Sequence, residues 1–422
     1  MGNTLSGGSG SGRRAAATEE WKGPFSDEVA SCVPSEYACL VKRFQQTVAT
    51  GQSPHDIAAS VQKWLALSVP EGATSELTDP LERLGERFLG VCKRQRLANG
   101  DDVNGQLTMR DFAQAAAQCM RASSQAILRC FFQLFATNED NTSLTEQELA
   151  SLAFASLLMA DGEAVQEDVA ASVSMASALA RSAMNSSSSS DSVSQDEFVR
   201  WAGAQCPLLY TIFVSWMARR CFDSLARPSY SPPTLSHQSS ILSRSHFVGL
   251  STTTAEVQNS LDRLYTSAQD GLSFNRLCYH VLGYTGPTLV LIQDADGAQS
   301  CSGYALPRGL GMGGDTNEFR IFLSEDFDEN SYTTPKCLSF EPGSLSGRKH
   351  FVINAMEVWG CGGDASRTSQ QAHRQETADL INRARKVDKA QFLGSDFDKE
   401  MFLSKTFGHG GDRGRIADDE EH

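Results

Sequence analysis

Three polar stretches carry the oxygen-bearing residues best spaced to surround a hard cation. The first, GDDVNGQLTMRDF, starts at Gly100 and holds Asp102, Asn104, Gly105, Leu107 and Asp111. The second, TNEDNTSLTEQEL, starts at Thr137 and holds Glu139, Asn141, Leu144 and Glu148. The third, SSSSSDSVSQDEF, starts at Ser186 and holds Ser188, Ser190, Val193 and Glu197. In each, a short polar loop leads to one apolar residue and then to an acidic residue that opens a helix.

This spacing fits the twelve-residue EF-hand loop, whose ligands include positions 1, 3, 5 and 12 and whose sharp turn uses glycine at 6. The apolar residue at position 8 pairs two such loops through a short strand. The departures are large. Position 1 is Gly100, Thr137 or Ser186, and only the first loop has glycine at position 6. That loop closes on Asp111, whose arm is shorter than the usual glutamate, and the third offers mostly hydroxyls. No loop supplies the full set of charged oxygens that calcium requires. The expectation is structural helix pairs with no cofactor. Asp102, Asn104, Asp111, Glu139, Asn141 and Glu148 are the weak calcium candidates, with the first loop the best of them.

Catalytic constellations are sparse. Glycines 309, 311, 313 and 314 in GLGMGG suggest a phosphate cradle, but a dinucleotide loop must lead into a helix. Here FRIFLSEDF follows, which reads as a strand, so GLGMGG is expected to be a loop between strands. No GxSxG, HExxH or P-loop motif occurs. Cys278 and His280 are two apart on a predicted helix and point in different directions. Eleven cysteines without a CxxC give neither a zinc site nor a secreted disulfide framework. Met312 and the thiols can consume oxidant stoichiometrically, as exposed sulfur does. No enzyme is expected.

The net charge of −14 argues against nucleic acid as a partner, since no basic surplus displaces counterions from phosphate. The apolar run CPLLYTIFVSWMA, 206–218, is too short to span a bilayer and reads as a buried helix. MGNTLS matches the N-myristoylation motif, with Gly2 as acceptor and Ser6 at the preferred position. The following GGSGSGRRAAA suits a flexible tether. One myristoyl chain gives marginal, reversible attachment, so a protein partner at the membrane must supply a second contact.

These residues need elements to position them. Helical periodicity dominates 35–222, preceded by a flexible segment over 1–34. Residues 223–238 are rich in serine and proline, the composition of a connection. Strand and turn signals then take over: GPTLVLIQDADG (286–297), FRIFLSEDF (319–327) and HFVINAMEVWG (350–360) are runs of apolar, β-branched and aromatic residues. A charged, partly helical tail is expected over 364–422. The fold class is therefore α+β and multidomain.

In the β-rich half, LYTSAQDGLSF, GPTLVLIQDADG, SGYA, GLGMGGDTNEFRIFLSEDF and FVINAMEVWG resemble the TLDc family, in the family's order, over 239–363. The chain looks most like that family's lysosomal, mTOR-associated branch. The resemblance implies a β-sandwich with flanking helices and no established catalytic machinery. It further implies association with the vacuolar proton-pumping ATPase or mTOR growth signalling, on the cytosolic face of lysosomal or vacuolar membranes, and a link to oxidative-stress resistance. The family's pattern falls on Gly271, Phe274, Gly286, Pro287, Thr288, Asp294, Gly297, Gly303, Gly313, Gly314, Glu357, Trp359 and Gly360. Glu357 is the one charge in an apolar strand, so it either pairs internally or faces a binding surface; a structural role is expected. Two other classes stand beside the adaptor reading: a calcium-responsive signalling protein and an antioxidant enzyme.

The resemblance also implies several strands between SGYA and GLGMGG. Here Ala305-Leu306-Pro307-Arg308 runs directly into Gly309, so those strands are expected to be absent. A sandwich shortened in this way exposes sheet edges.

Overall fold

Helix starts in the first half are set locally. Ser53, Thr108, Thr145 and Ser194 each accept a hydrogen bond from the amide three residues on, and the acid there bonds back to the cap's own amide. Such reciprocal capping satisfies two donors that a helix terminus otherwise leaves open. The computed structural model describes residues 34–48, 53–102, 106–137, 142–189, 191–223, 230–258, 260–295, 309–315, 318–337, 339–340, 342–343 and 345–394. It divides between Leu261 and Asp262 into two compact units.

The first unit is helical: α1 (Pro34–Thr47), α2 (Pro54–Leu65), α3 (Ser75–Glu82), α4 (Leu84–Ala98), α5 (Met109–Met120) and α6 (Ser124–Gln133) lead to a two-residue strand, β1 (Ser143–Leu144). Then come α7 (Glu146–Glu167), α8 (Val169–Asn185), β2 (Val193–Ser194), α9 (Gln195–Gln205), α10 (Leu209–Phe222), β3 (Thr234–Leu235) and α11 (Arg244–Leu250). Aromatic rings fill its centre. Trp64, Phe88 and Phe112 pack within 5.4–5.7 Å of one another, and Phe131 stacks on Phe213 at 4.5 Å. Each fully buried ring of this kind contributes about 1.5–3 kcal/mol. The run at 206–218 lies largely in α10, which is buried along most of its length as its composition predicts. No helix among the described residues is long and apolar enough to cross a membrane.

The two compact units divide after Leu261, and residues before that point bond to the helical unit. Tyr230, in the expected connection, is fully buried; its amide donates to Ser215 Oγ at 3.0 Å and its hydroxyl lies 2.8 Å from Ser251 Oγ. Ser245 on α11 donates to the Ala164 carbonyl at 2.7 Å. These bonds hold 230–257 to the helical unit, although part of that span carries the β-domain's pattern.

The second unit is built on strands. β4 (Ser260–Thr266) begins at the boundary, where its first residues pair with β3. It is followed by α12 (Ser267–Asp270), α13 (Phe274–Val281), β5 (Thr288–Asp294), β6 (Gly309–Asp315), β7 (Glu318–Ser324), β8 (Ser331–Thr333), β9 (His350–Phe351), β10 (Ile353–Gly360) and α14 (Gly363–Gly394). Two four-stranded sheets result, ordered β3-β4-β10-β5 and β6-β7-β8-β9. Tyr265, Met356 and Val358 from one and Leu323 and Phe351 from the other share one apolar cluster. Among the described residues, β5 and β6, which flank the junction, are both sheet edges. Residues 301–308 of that junction lie outside the described residues.

One expectation is corrected here. GLGMGG is not a loop but most of strand β6, paired with β7 from Gly309↔Ser324 to Asp315↔Glu318. Glycine is a poor strand former by itself; cross-strand pairing and aromatic rings packed onto its bare backbone supply the order.

Candidate functional site

The three position-12 acids do similar work as hydrogen-bond acceptors. In the second loop, Glu148 Oε1 accepts from the Thr137 amide at 2.9 Å and from its hydroxyl, while Oε2 accepts from the Thr145 amide at 2.8 Å. In the third, Glu197 Oε1 accepts from the Ser188 amide at 3.0 Å and Oε2 from the Ser194 amide and hydroxyl. Each glutamate therefore ties the start of its loop to the cap of the following helix. β1 and β2 join these two loops, with buried Leu144 opposite buried Val193.

The first loop is closed differently. Asp111 is fully buried, and its Oδ2 takes the Thr108 amide at 3.0 Å and hydroxyl at 2.7 Å. The same oxygen receives Arg96 at 3.1 Å. Arg96 also donates to the backbone carbonyls of Asp102 and Gln106. In a calcium-loaded loop the position-7 carbonyl and the position-12 carboxylate both face the ion. Here those positions are Gln106 and Asp111, and a guanidinium meets both. Asp102 is exposed. Asn104, Glu139 and Asn141 lie outside the described residues, as do Gly2, Gly297 and Gly303. Among the described residues no group of three or more His, Cys, Asp or Glu is placed to hold a metal. Sequence reasoning missed Arg96 because it sits on α4, four residues before the loop.

Acid should unlatch the third loop. The hydroxyl and amide of Ser188, then those of Ser194, hold the Glu197 carboxyl well below the usual carboxylate range. A depressed folded pKa gives stability that is present above the unfolded value, about 4.3, and is lost as pH falls toward the folded one. Thermal melts followed by far-UV circular dichroism should show the helical unit weakening below about pH 4.3. Glu197→Gln should flatten that dependence while lowering stability at neutral pH.

In the second unit, Glu357 and Trp359 share one face of β10 and are both fully buried. Trp359 Nε1 donates to Glu357 Oε2 at 3.0 Å. The carboxylate is thus a packed internal acceptor, not part of a surface. Around that end of β10, Pro287 accepts the Cys361 amide at 2.9 Å, Thr288 pairs with Gly360, and Gly286 lies against Gly362 and Ser366. A side chain at Gly360 would meet the Tyr284 ring at 2.6 Å, so the close approach requires glycine. Gly313 has φ +64 beneath the Phe340 ring, and Gly314 pairs with Phe319. Gly271 follows α12, its carbonyl accepting the Tyr265 hydroxyl at 2.9 Å, and Phe274 opens α13 against Phe327. Asp294 ends β5 and accepts from Ser346. The pattern residues described here all pack, turn or pair. His280 lies beside Asp270 at 3.4 Å and against the rings of Tyr265 and Tyr279.

The TLDc domain family matches residues 235–305 and, as a second segment, 294–362. The break lies beside the junction that runs Arg308 into Gly309. MTOR-associated protein MEAK7 of Gallus gallus is 25% identical over 154 residues, covering 26% of this chain and 33% of the relative. The proteins of that name from Mus musculus and Homo sapiens are 29% and 28% identical over 145 residues, covering 24% of this chain and 32% of each relative. The chain spans about a third of the length of these relatives. The 154 aligned positions exceed 26% of a 422-residue chain, so the alignment crosses positions of the relative that have no counterpart here. The β-rich part of this chain is similar to the TLDc domain in two segments, and the chain resembles the MTOR-associated relatives over part of their length.

Proposed function

We propose that this chain is a non-enzymatic adaptor in mTOR-associated signalling, held at the cytosolic face of lysosomal or vacuolar membranes by a myristoyl group on Gly2 and by protein contacts, including the proton-pumping ATPase. The observation that carries the adaptor reading is the TLDc match, with relatives named for mTOR association. Buried Glu357, hydrogen-bonded within its own strand, supports a structural role for the family's pattern. The helical unit serves in this reading as EF-hand-derived scaffolding, its loops latched by hydroxyls, amides and Arg96.

Affinity purification of the full chain and of Gly2→Ala tests the reading. Wild type should co-purify from a membrane fraction with mTOR-associated or proton-pump subunits, and Gly2→Ala should move to the soluble fraction. Wild type that recovers neither set of subunits sinks the adaptor proposal. Calorimetric titration of the full chain with millimolar calcium should give no saturable heat; a saturable signal would favour the calcium-responsive alternative.

A further inference from the structure

Three helices of the first unit bring four cations to one cavity of about 460 Å³: Arg43 from α1, Lys63 from α2, and Arg219 and Arg220 from α10. Ligand pockets of this kind range over about 300–1,000 Å³. The concentration of positive charge is unexpected in a chain of net charge −14. Part of it has a local explanation. Lys63, Arg219 and Arg220 lie in the last turns of their helices, where partial negative charge attracts cations, and Arg43 lies just before the last turn of α1. Three helix ends at about half a unit each, with Asp223, offset roughly two and a half of four positive charges. A positive excess remains.

Other features point to an anionic occupant. Arg219 is anchored on the Met159 carbonyl at 2.9 Å and Arg220 on the Ala66 carbonyl, and Arg220 also lies over the Trp216 ring. Trp64 Nε1 donates to the Arg220 carbonyl at 2.9 Å, fixing α2 against α10. Arg219 and Arg220 are therefore held in place before anything binds. Burial, then the neighbouring Arg43 and Arg219, disfavour the charged form of Arg220, a repulsion that an anion relieves. The cavity also contains a built-in anion. Asp223 pairs with Arg43 from a backbone at φ 50, ψ −120, which side chains other than glycine rarely adopt. Such strain persists where surrounding contacts impose it.

We propose that this cavity binds a compact molecule carrying several phosphoryl groups, with the three guanidinium groups and Lys63 as donors and Asp223 as an internal competitor. Planar guanidinium forks suit phosphoryl oxygens, and cations on three helices suit more than one such group. Lipidation at Gly2 plays no part in the proposal, so unacylated full-length chain is the correct material.

Calorimetry with inositol hexakisphosphate and with pyrophosphate should show saturable binding that weakens with salt. Arg43→Gln with Lys63→Gln should weaken it by about tenfold or more, and Asp223→Asn should tighten it. Lys63 is exposed, so Lys63→Gln alone keeps the fold and should still weaken binding. Phosphatidylcholine vesicles with and without phosphatidylinositol 4,5-bisphosphate separate the sources. Lipid-dependent co-sedimentation that the soluble probe displaces identifies a headgroup, and soluble binding alone identifies a free ligand. No saturable binding of either probe up to millimolar concentration overturns the proposal, as does binding that the double variant leaves unchanged. Weaker binding by Asp223→Asn overturns the competitor role.

Discussion

Trp359→Ala is expected to destabilise the β-rich unit by about 3–5 kcal/mol, the range for removing a large buried aromatic. The indole lies on the central part of a sheet, opposite Arg263 on β4 and Leu289 on β5, with no solvent exposure. Its loss leaves a cavity and also takes a donor from Glu357, which is itself fully buried. Marginal stability of a typical domain makes such a loss close to unfolding. Trp359→Phe separates the two causes, because it keeps most of the ring volume and removes the N–H. Urea unfolding should place Trp359→Phe between wild type and Trp359→Ala. If Trp359→Phe matches wild type, the bond to Glu357 contributes nothing measurable.

Arg96→Met should cost the helical unit about 3–5 kcal/mol, because removing one partner of a buried ion pair leaves the other charge uncompensated. Asp111 has no exposed side-chain surface and Arg96 only 13%, so solvent cannot take the guanidinium's place. Two loop carbonyls lose their donor at the same time. Arg96→Lys should recover only part of the loss, since a compact ammonium cannot span three acceptors as a guanidinium does. Chemical denaturation followed at the helical signal measures both variants. Equal stability of Arg96→Lys and wild type would show that charge alone, without the fork, closes the loop.

Much of this was legible in the chain itself. Asp111, Glu148 and Glu197 were readable as acids that open helices, and each lies in the first turn of its helix. The apolar residues Leu144 and Val193 were readable as partners in a short pairing of loops, and they pair. The strand runs at 286–297, 319–327 and 350–360 contain β5, most of β7, and β9 with β10. β6 was not legible, since glycine carries no strand preference and its order comes from β7 and from the rings of Phe319 and Phe340.

What the sequence by itself determined is what neighbouring residues decide together: periodicity, the acids that open helices, turn chemistry and the ordered motifs that resemble the family. Tertiary structure alone decided which distant groups meet. Arg96 closes a loop it does not belong to, and Tyr230 ties an apparent linker to Ser215 and Ser251. Arg43 and Asp223 meet across 180 positions of chain. Local preferences act over a few residues, whereas those meetings depend on how whole helices pack, and no short stretch of sequence carries that information.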